Sequence, residues 1–198
     1  GRLSLMLSRY RYVKRAVDVI GASVGLLLLA VPMCLIAVAV KLDSKGPVFF
    51  RQLRMGQHSV PFVCYKFRSM YTYAPSECTA NALQDRSHMV TRVGNFLRKS
   101  SLDEVPQLWN VLKGDMSLIG PRPLILKETW INEERAKRGV YELQPGITGL
   151  AQICGRNQVS DRDKLYFDEY YLTHYGMWLD VKVFFGTILY VVLGKDIL

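Results

Sequence analysis

The uncharged run over residues 19–40, VIGASVGLLLLAVPMCLIAVAV, constrains this chain more than any other feature. As a helix rising ~1.5 Å per residue it would be about 33 Å long, enough to cross the hydrocarbon core of a bilayer. It lies too far into the chain, behind too long a basic segment, to be a cleaved signal peptide. A simple anchor is the default reading, and two features weaken it. Pro32 sits inside the run, where it deletes a helical hydrogen bond and kinks or breaks the helix. Both flanks are also basic: Arg9, Arg11, Lys14 and Arg15 precede the run, and Lys41, Lys45, Arg51 and Arg54 follow it. Lys and Arg favour the cytoplasmic side. A spanning helix would put one cluster on the wrong side, whereas a helix that enters, bends near Pro32 and returns keeps both inside. Ser23 is a candidate to re-satisfy freed backbone groups. On these residues alone the re-entrant and spanning readings both stay open.

A second membrane-directed piece covers residues 178–193, WLDVKVFFGTILYVVL. Asp180 and Lys182 interrupt it, and Trp178 and Tyr190 are of the kind that favours the headgroup zone. An amphipathic helix lying in the interface fits better than a span; an ordinary buried helix is the alternative. Between these pieces, alternation and aromatics over residues 48–70, around Met55-Gly56-Gln57, predict a short β-hairpin. Residues 75–92 read as a polar loop with a helical stretch, and a role in choosing the sugar is expected there. Residues 101–113, SLDEVPQLWNVLK, carry helical periodicity that Gly114 stops. Residues 114–123 and 144–157 are Gly-rich loops, and 124–139 and 161–175 are helices. The expected fold class is α+β, mainly α. It comprises a basic segment and Pro-broken membrane helix over residues 1–44, and a compact catalytic domain with a C-terminal interfacial helix over residues 45–198. Without βαβ alternation or a G-x-G-x-x-G string, a Rossmann fold is disfavoured.

The 198 residues suffice for one domain with a real core, and the net charge of +9 calls for an anionic partner. Four scattered cysteines and three isolated histidines make no zinc pattern; reduced thiols are expected. The opening Gly1-Arg2 suggests a trimmed chain or the C-terminal part of a longer one.

Asp103-Glu104 is the first constellation with chemical potential. Ser101-x-x-Glu104 fits a capping box, the plain structural reading. The chemical reading is a carboxylate nucleophile beside a metal-binding or orienting carboxylate. Pro106 tolerates only the first helical turn, so the helix can start at or after Asp103 and let that side chain project from its end. The second constellation is cationic: Lys66 and Arg68 in YKFRSM, Arg98 and Lys99, Arg122 in GPRP, and Arg156 in CGRN. Arginine forks grip phosphate oxygens, and the loops of Arg122 and Arg156 can aim them. An ionised aspartate attacking a diphosphate, with cations and Mg²⁺ neutralising it, needs no general base.

The strings YKFRSM, R-x-x-SLDEVPQLWNVLKGDMSLIGPRP and PGITGLAQICGRN resemble those of the monotopic phosphoglycosyl transferases, the bacterial sugar transferase family. The likeness covers about residues 11–195. It implies a re-entrant helix broken at Pro32, a catalytic domain on interfacial helices, and location at the cytoplasmic face of the bacterial inner membrane. It also implies transfer of a sugar 1-phosphate from a UDP-sugar to polyprenyl (undecaprenyl) phosphate, with release of UMP. The route is ping-pong through a phosphosugar on Asp103, with Glu104 its partner and Mg²⁺ on this pair, and the product starts a surface glycan. Arg98 and Arg122 match phosphate-binding positions, Lys66 the basic strand motif, Gln152 and Arg156 the Gly-rich loop, and Asp168 an acidic position before Tyr170-Tyr171; with Arg68 these make up the expected substrate-binding set. One departure is visible: Val31 stands where the family often has Ser before the break proline. A homodimer is compatible with this reading. The rivals are a non-catalytic membrane adaptor that holds anionic lipid, and a nucleic-acid binder. The latter leaves residues 19–40 unexplained, so no nucleic-acid partner is expected.

Overall fold

The structure, a computed structural model, describes residues 2–74, 88–154 and 160–193. Its first element, α1 (Arg2–Asp43), is a single helical element with Pro32 inside it. Among the described residues, Arg9–Asp43 is the one stretch long and apolar enough to cross a membrane. Its middle is bare: Leu27 is 78% and Leu28 74% exposed. Its two ends are not. Tyr10 and Lys14 both donate to Asp180 (2.5 Å each), and Arg15 donates to the carbonyls of Val111 and Leu112 (2.6 and 2.9 Å). Asp18 accepts from the Leu118 N–H (2.9 Å). At the far end Asp43 accepts from the Val93 N–H (2.9 Å).

The expected hairpin forms from β1 (Phe49–Met55) and β2 (Pro61–Phe67), antiparallel, with Phe49 opposite Phe67 and Met55 opposite Pro61. Helix α2 (Arg92–Lys99) starts at Thr91, whose hydroxyl accepts from the Gly94 N–H. The helix expected over residues 101–113 is instead split. A 3-10 turn covers Leu102–Glu104, and α3 (Gln107–Lys113) begins after Pro106 and stops at Gly114, φ 92°. The fully buried Asn110 on α3 binds the peptide groups of both Val63 and Tyr65 (2.7 and 3.1 Å), fixing α3 to β2.

A second sheet was absent from the sequence reading. The parallel strands β3 (Ser117–Ile119) and β4 (Gly146–Thr148) pair within the two segments expected as loops. Three-residue strands are too short for alternation to register. Their glycines serve close approach: a Cβ on Gly146 would lie 2.1 Å from the Gly120 nitrogen. Gly146→Ala is therefore expected to destabilise the protein by about 1–3 kcal/mol, read as a lowered melting temperature. Helices α4 (Thr129–Lys137), α5 (Leu150–Ile153), α6 (Asp161–Thr173) and α7 (Met177–Leu193) complete the chain.

Three apolar clusters hold these elements. Ile119, Leu143, Ile153, Tyr171 and Val183 join β3 to the C-terminal helices. Ala22, Cys64, Val111 and Met116 join α1 to the hairpin and α3. Val40, Phe67 and Leu97 join the end of α1 to β2 and α2. On α7, Asp180 and Val183 face this interior while Trp178, Phe184, Phe185, Ile188 and Val191 stay exposed. The polar interruption that suggested an amphipathic helix is thus the inward contact: Asp180 accepts from Tyr10, Lys14 and Tyr171.

Candidate active site

The hairpin, the end of α2, the 3-10 turn and the two Gly-rich segments enclose a cavity of about 740 Å³. Of the residues expected to bind substrate, Lys66, Arg68, Arg98, Arg122 and Gln152 line it, as does Asp103. Arg156 lies outside the described residues, as do positions 75–87 of the expected selectivity loop.

The dyad owes its placement to Ser101. This residue adopts φ 57°, ψ 14°, left-handed geometry that a non-glycine residue rarely takes and that functional sites often hold. The chain turns sharply there, and the Ser101 side chain makes no capping bond. The capping box suggested by the spacing therefore does not form. Glu104 Oε1 instead accepts from Lys66 (2.5 Å) and Arg122 (3.3 Å). Burial alone would raise the Glu104 pKa, but Lys66 and Arg122 outweigh it and bring it down to about 2. Asp103 differs: no hydrogen bond or ion pair with a described residue holds its carboxylate. Its pKa is raised, first by burial and then by the Glu104 charge, with Lys66, Arg98 and Arg122 opposing. One carboxylate is clamped and charged; its neighbour lines the cavity with no such clamp among the described residues.

Two expected substrate ligands have other work. The Arg68 guanidinium donates to the carbonyls of Val40, Ser44 and Lys45 (3.1, 2.6 and 3.1 Å) and so caps the C-terminal end of α1. Asp168 is buried behind the cavity wall, where Arg135 Nε and Nη2 both bind its Oδ2 (2.9 and 2.5 Å). Arg135 is one of two residues the sequence reading missed. Its Nη1 donates to the Arg122 carbonyl (2.8 Å), while Arg54 Nη1 donates to the Pro123 carbonyl (2.8 Å). These two arginines, Arg135 buried and Arg54 half-buried, grip the backbone that carries Arg122. Their only sequence signal is a cation at an inward position of a strand and of a helix. Gln152 donates through Nε2 to the Ile147 carbonyl (3.0 Å), and its buried Oε1 has no partner among the described residues.

Metal capacity is limited. No group of three or more His, Cys, Asp or Glu side chains that could hold an ion occurs among the described residues. Asp103 is the carboxylate of the pair that lines the cavity; an Mg²⁺ held there would take most of its ligands from phosphate oxygens and water, as Mg²⁺ usually does.

Lys66, Arg98 and Arg122 line the cavity beside Asp103 and give a polyanion a cationic surface. The chain belongs to the bacterial sugar transferase family, whose model matches residues 9–194. Among its relatives is the UDP-glucose:undecaprenyl-phosphate glucose-1-phosphate transferase of Escherichia coli, 41% identical over 185 residues, which are 90% of this chain and 40% of that protein. The undecaprenyl-phosphate galactose phosphotransferase of Salmonella typhimurium is 38% identical over 202 residues, 94% of this chain and 41% of that one. An uncharacterized sugar transferase of Bacillus subtilis is 40% identical over 184 residues, covering 93% of this chain and 89% of its own length. The chain thus spans about 40% of the first two relatives and most of the third.

Proposed function

We propose that this chain transfers a sugar 1-phosphate from a UDP-sugar to undecaprenyl phosphate, releasing UMP, at the cytoplasmic face of a bacterial membrane. The observation that carries this reading is the split dyad: Asp103 lines the basic cavity without a partner among the described residues while Glu104 is doubly paired. The Asp103 carboxylate attacks the sugar-bearing phosphorus, and the phosphoanhydride bond breaks with its electron pair leaving on UMP. An oxygen of the lipid phosphate then attacks the same phosphorus and expels Asp103 as carboxylate. Lys66, Arg98 and Arg122 neutralise the diphosphate, and the Lys66 and Arg122 contacts keep Glu104 charged throughout. Mg²⁺ bound at Asp103 and Glu104 would add charge neutralisation at the phosphates. With its Nε2 occupied, Gln152 suits a donor hydroxyl through Oε1 better than a phosphate oxygen. UMP release from a panel of UDP-sugars, with undecaprenyl phosphate in detergent, tests the function; no release from any of them overturns it.

The membrane reading is supported by the docking of α1. Residues 10–18, before the apolar run, and 40–43, at its end and just beyond, both bind the same folded body. That body cannot lie on both sides of a bilayer, which favours a re-entrant helix with its bare middle in lipid. The exposed aromatic and aliphatic face of α7 supports an interfacial position. Cysteine labels at Arg9 and His58 are expected to react from the same, cytoplasmic side; labelling from opposite sides would establish a span.

A further inference from the structure

Among the described residues the hairpin leaves one strand edge open, and peptide alternation identifies the residues on it. Arg68 N–H donates to the Val48 carbonyl (2.9 Å) and Gly56 N–H to the Val60 carbonyl (3.0 Å). With Phe50 opposite Lys66 and Gln52 opposite Cys64, even-numbered residues of β1 turn their N–H and C=O toward β2. Odd-numbered residues turn theirs away. Met55 N–H is taken by the Leu124 carbonyl (2.8 Å), beside an isolated bridge from Arg54 to Ile125. Beyond that bridge, no backbone partner among the described residues reaches the outward N–H and C=O of Phe49 or Arg51. The whole run 47–52 lines the 740 Å³ cavity. Side chains alternate between the faces of a strand, so a consecutive run lines one cavity only where the backbone edge itself forms the wall.

We propose that this edge binds the uracil ring of the nucleotide donor, through the N–H and C=O of Arg51. The proposal rests on the transferase reading and adds where the base sits. Uracil carries a carbonyl acceptor next to its N3–H donor. One extended residue presents the complement, a donor and an acceptor side by side on the same edge. Phe49, Phe50 and Tyr71 also line the cavity and offer an apolar bed for a flat ring. The hydroxyl-seeking groups, Glu128, Gln152 and Lys164, come from other segments of the wall and suit the sugar. The Arg51 guanidinium itself lies over the Tyr65 ring, 5.7 Å from its centroid. Recognition through the main chain leaves no side-chain signature, which is why the sequence does not announce it.

The test uses the full chain in detergent and needs no variant for its first arm. UMP and N3-methyl-UMP compete against turnover of a UDP-sugar. Methylation removes the donor, and about tenfold weaker inhibition is expected. In the second arm Arg51→Pro deletes the outward N–H but no rung of the hairpin ladder, as an edge strand allows. Its KM for the UDP-sugar should exceed that of Arg51→Ala about tenfold with kcat little changed. Leu53→Pro, the next outward position and not part of the cavity wall, should keep the parental KM. Equal inhibition by both nucleotides, or equal KM for the proline and alanine variants, overturns the base assignment while turnover stands. Absence of UMP release by the unmodified chain overturns the transferase reading and this inference with it.

Discussion

Asp103→Asn is expected to reduce UMP release by about 10⁴-fold or more, the scale seen when a covalent nucleophile is lost. Binding of the UDP-sugar should survive, because Lys66, Arg98 and Arg122 remain in place. Incubated with UDP-sugar and Mg²⁺ but no lipid, the unmodified chain should gain the mass of one phosphosugar, and the variant should not. UMP appearing only when lipid is present, with no adduct, would mean direct transfer. The acid limb of kcat/KM carries a second signature. Burial and the Glu104 charge raise the Asp103 pKa, so attack is lost as pH falls through a value above the ordinary aspartate ~3.9. Glu104, brought to about 2, stays ionised through that window. Lys66 is the strongest of the groups opposing the rise. Lys66→Met should therefore move the limb to still higher pH, besides lowering kcat.

The parts of this site that were legible in the sequence are those whose chemistry is local. Asp103 and Glu104 are adjacent, and Pro106 limits where a helix can begin, so a projecting carboxylate followed from three neighbouring residues. The hairpin was legible because seven-residue strands alternate long enough to register. What the sequence left undecided depended on distant packing. Arg68 and Arg122 look alike as loop-flanking cations. One lies against the last carbonyls of α1 and the other meets Glu104, and only the meeting of segments far apart in the chain decides which. Asp168 was grouped with the substrate ligands because no local feature announces that Arg135, on another helix, consumes its charge. The β3–β4 pair was hidden for the opposite reason. Its glycines looked like freedom for a loop, whereas Gly120 and Gly146 are bare so that two backbones can touch. Pro32 predicts a break, yet it lies within a single helical element. Re-entry is favoured instead by where the two ends dock.

The Arg135–Asp168 pair separates stability from positioning. Arg135→Met should destabilise the protein by about 3–5 kcal/mol, because it leaves Asp168 charged, buried and alone. Thermal unfolding in detergent measures this. The double variant Arg135→Met/Asp168→Leu replaces the pair with apolar groups, an exchange that is often neutral or better for stability, and it should recover most of the lost melting temperature. It should not recover turnover. The Arg135 bond to the Arg122 carbonyl is still missing, so the guanidinium that helps hold Glu104 loses its backbone anchor. A stable, slow double variant, with a weakened response of the acid limb to Glu104→Gln, marks Arg135 as a positioning residue. A double variant with full kcat would show that the pair serves only the fold. Arg54 alone, through the Pro123 carbonyl, would then suffice to aim the loop.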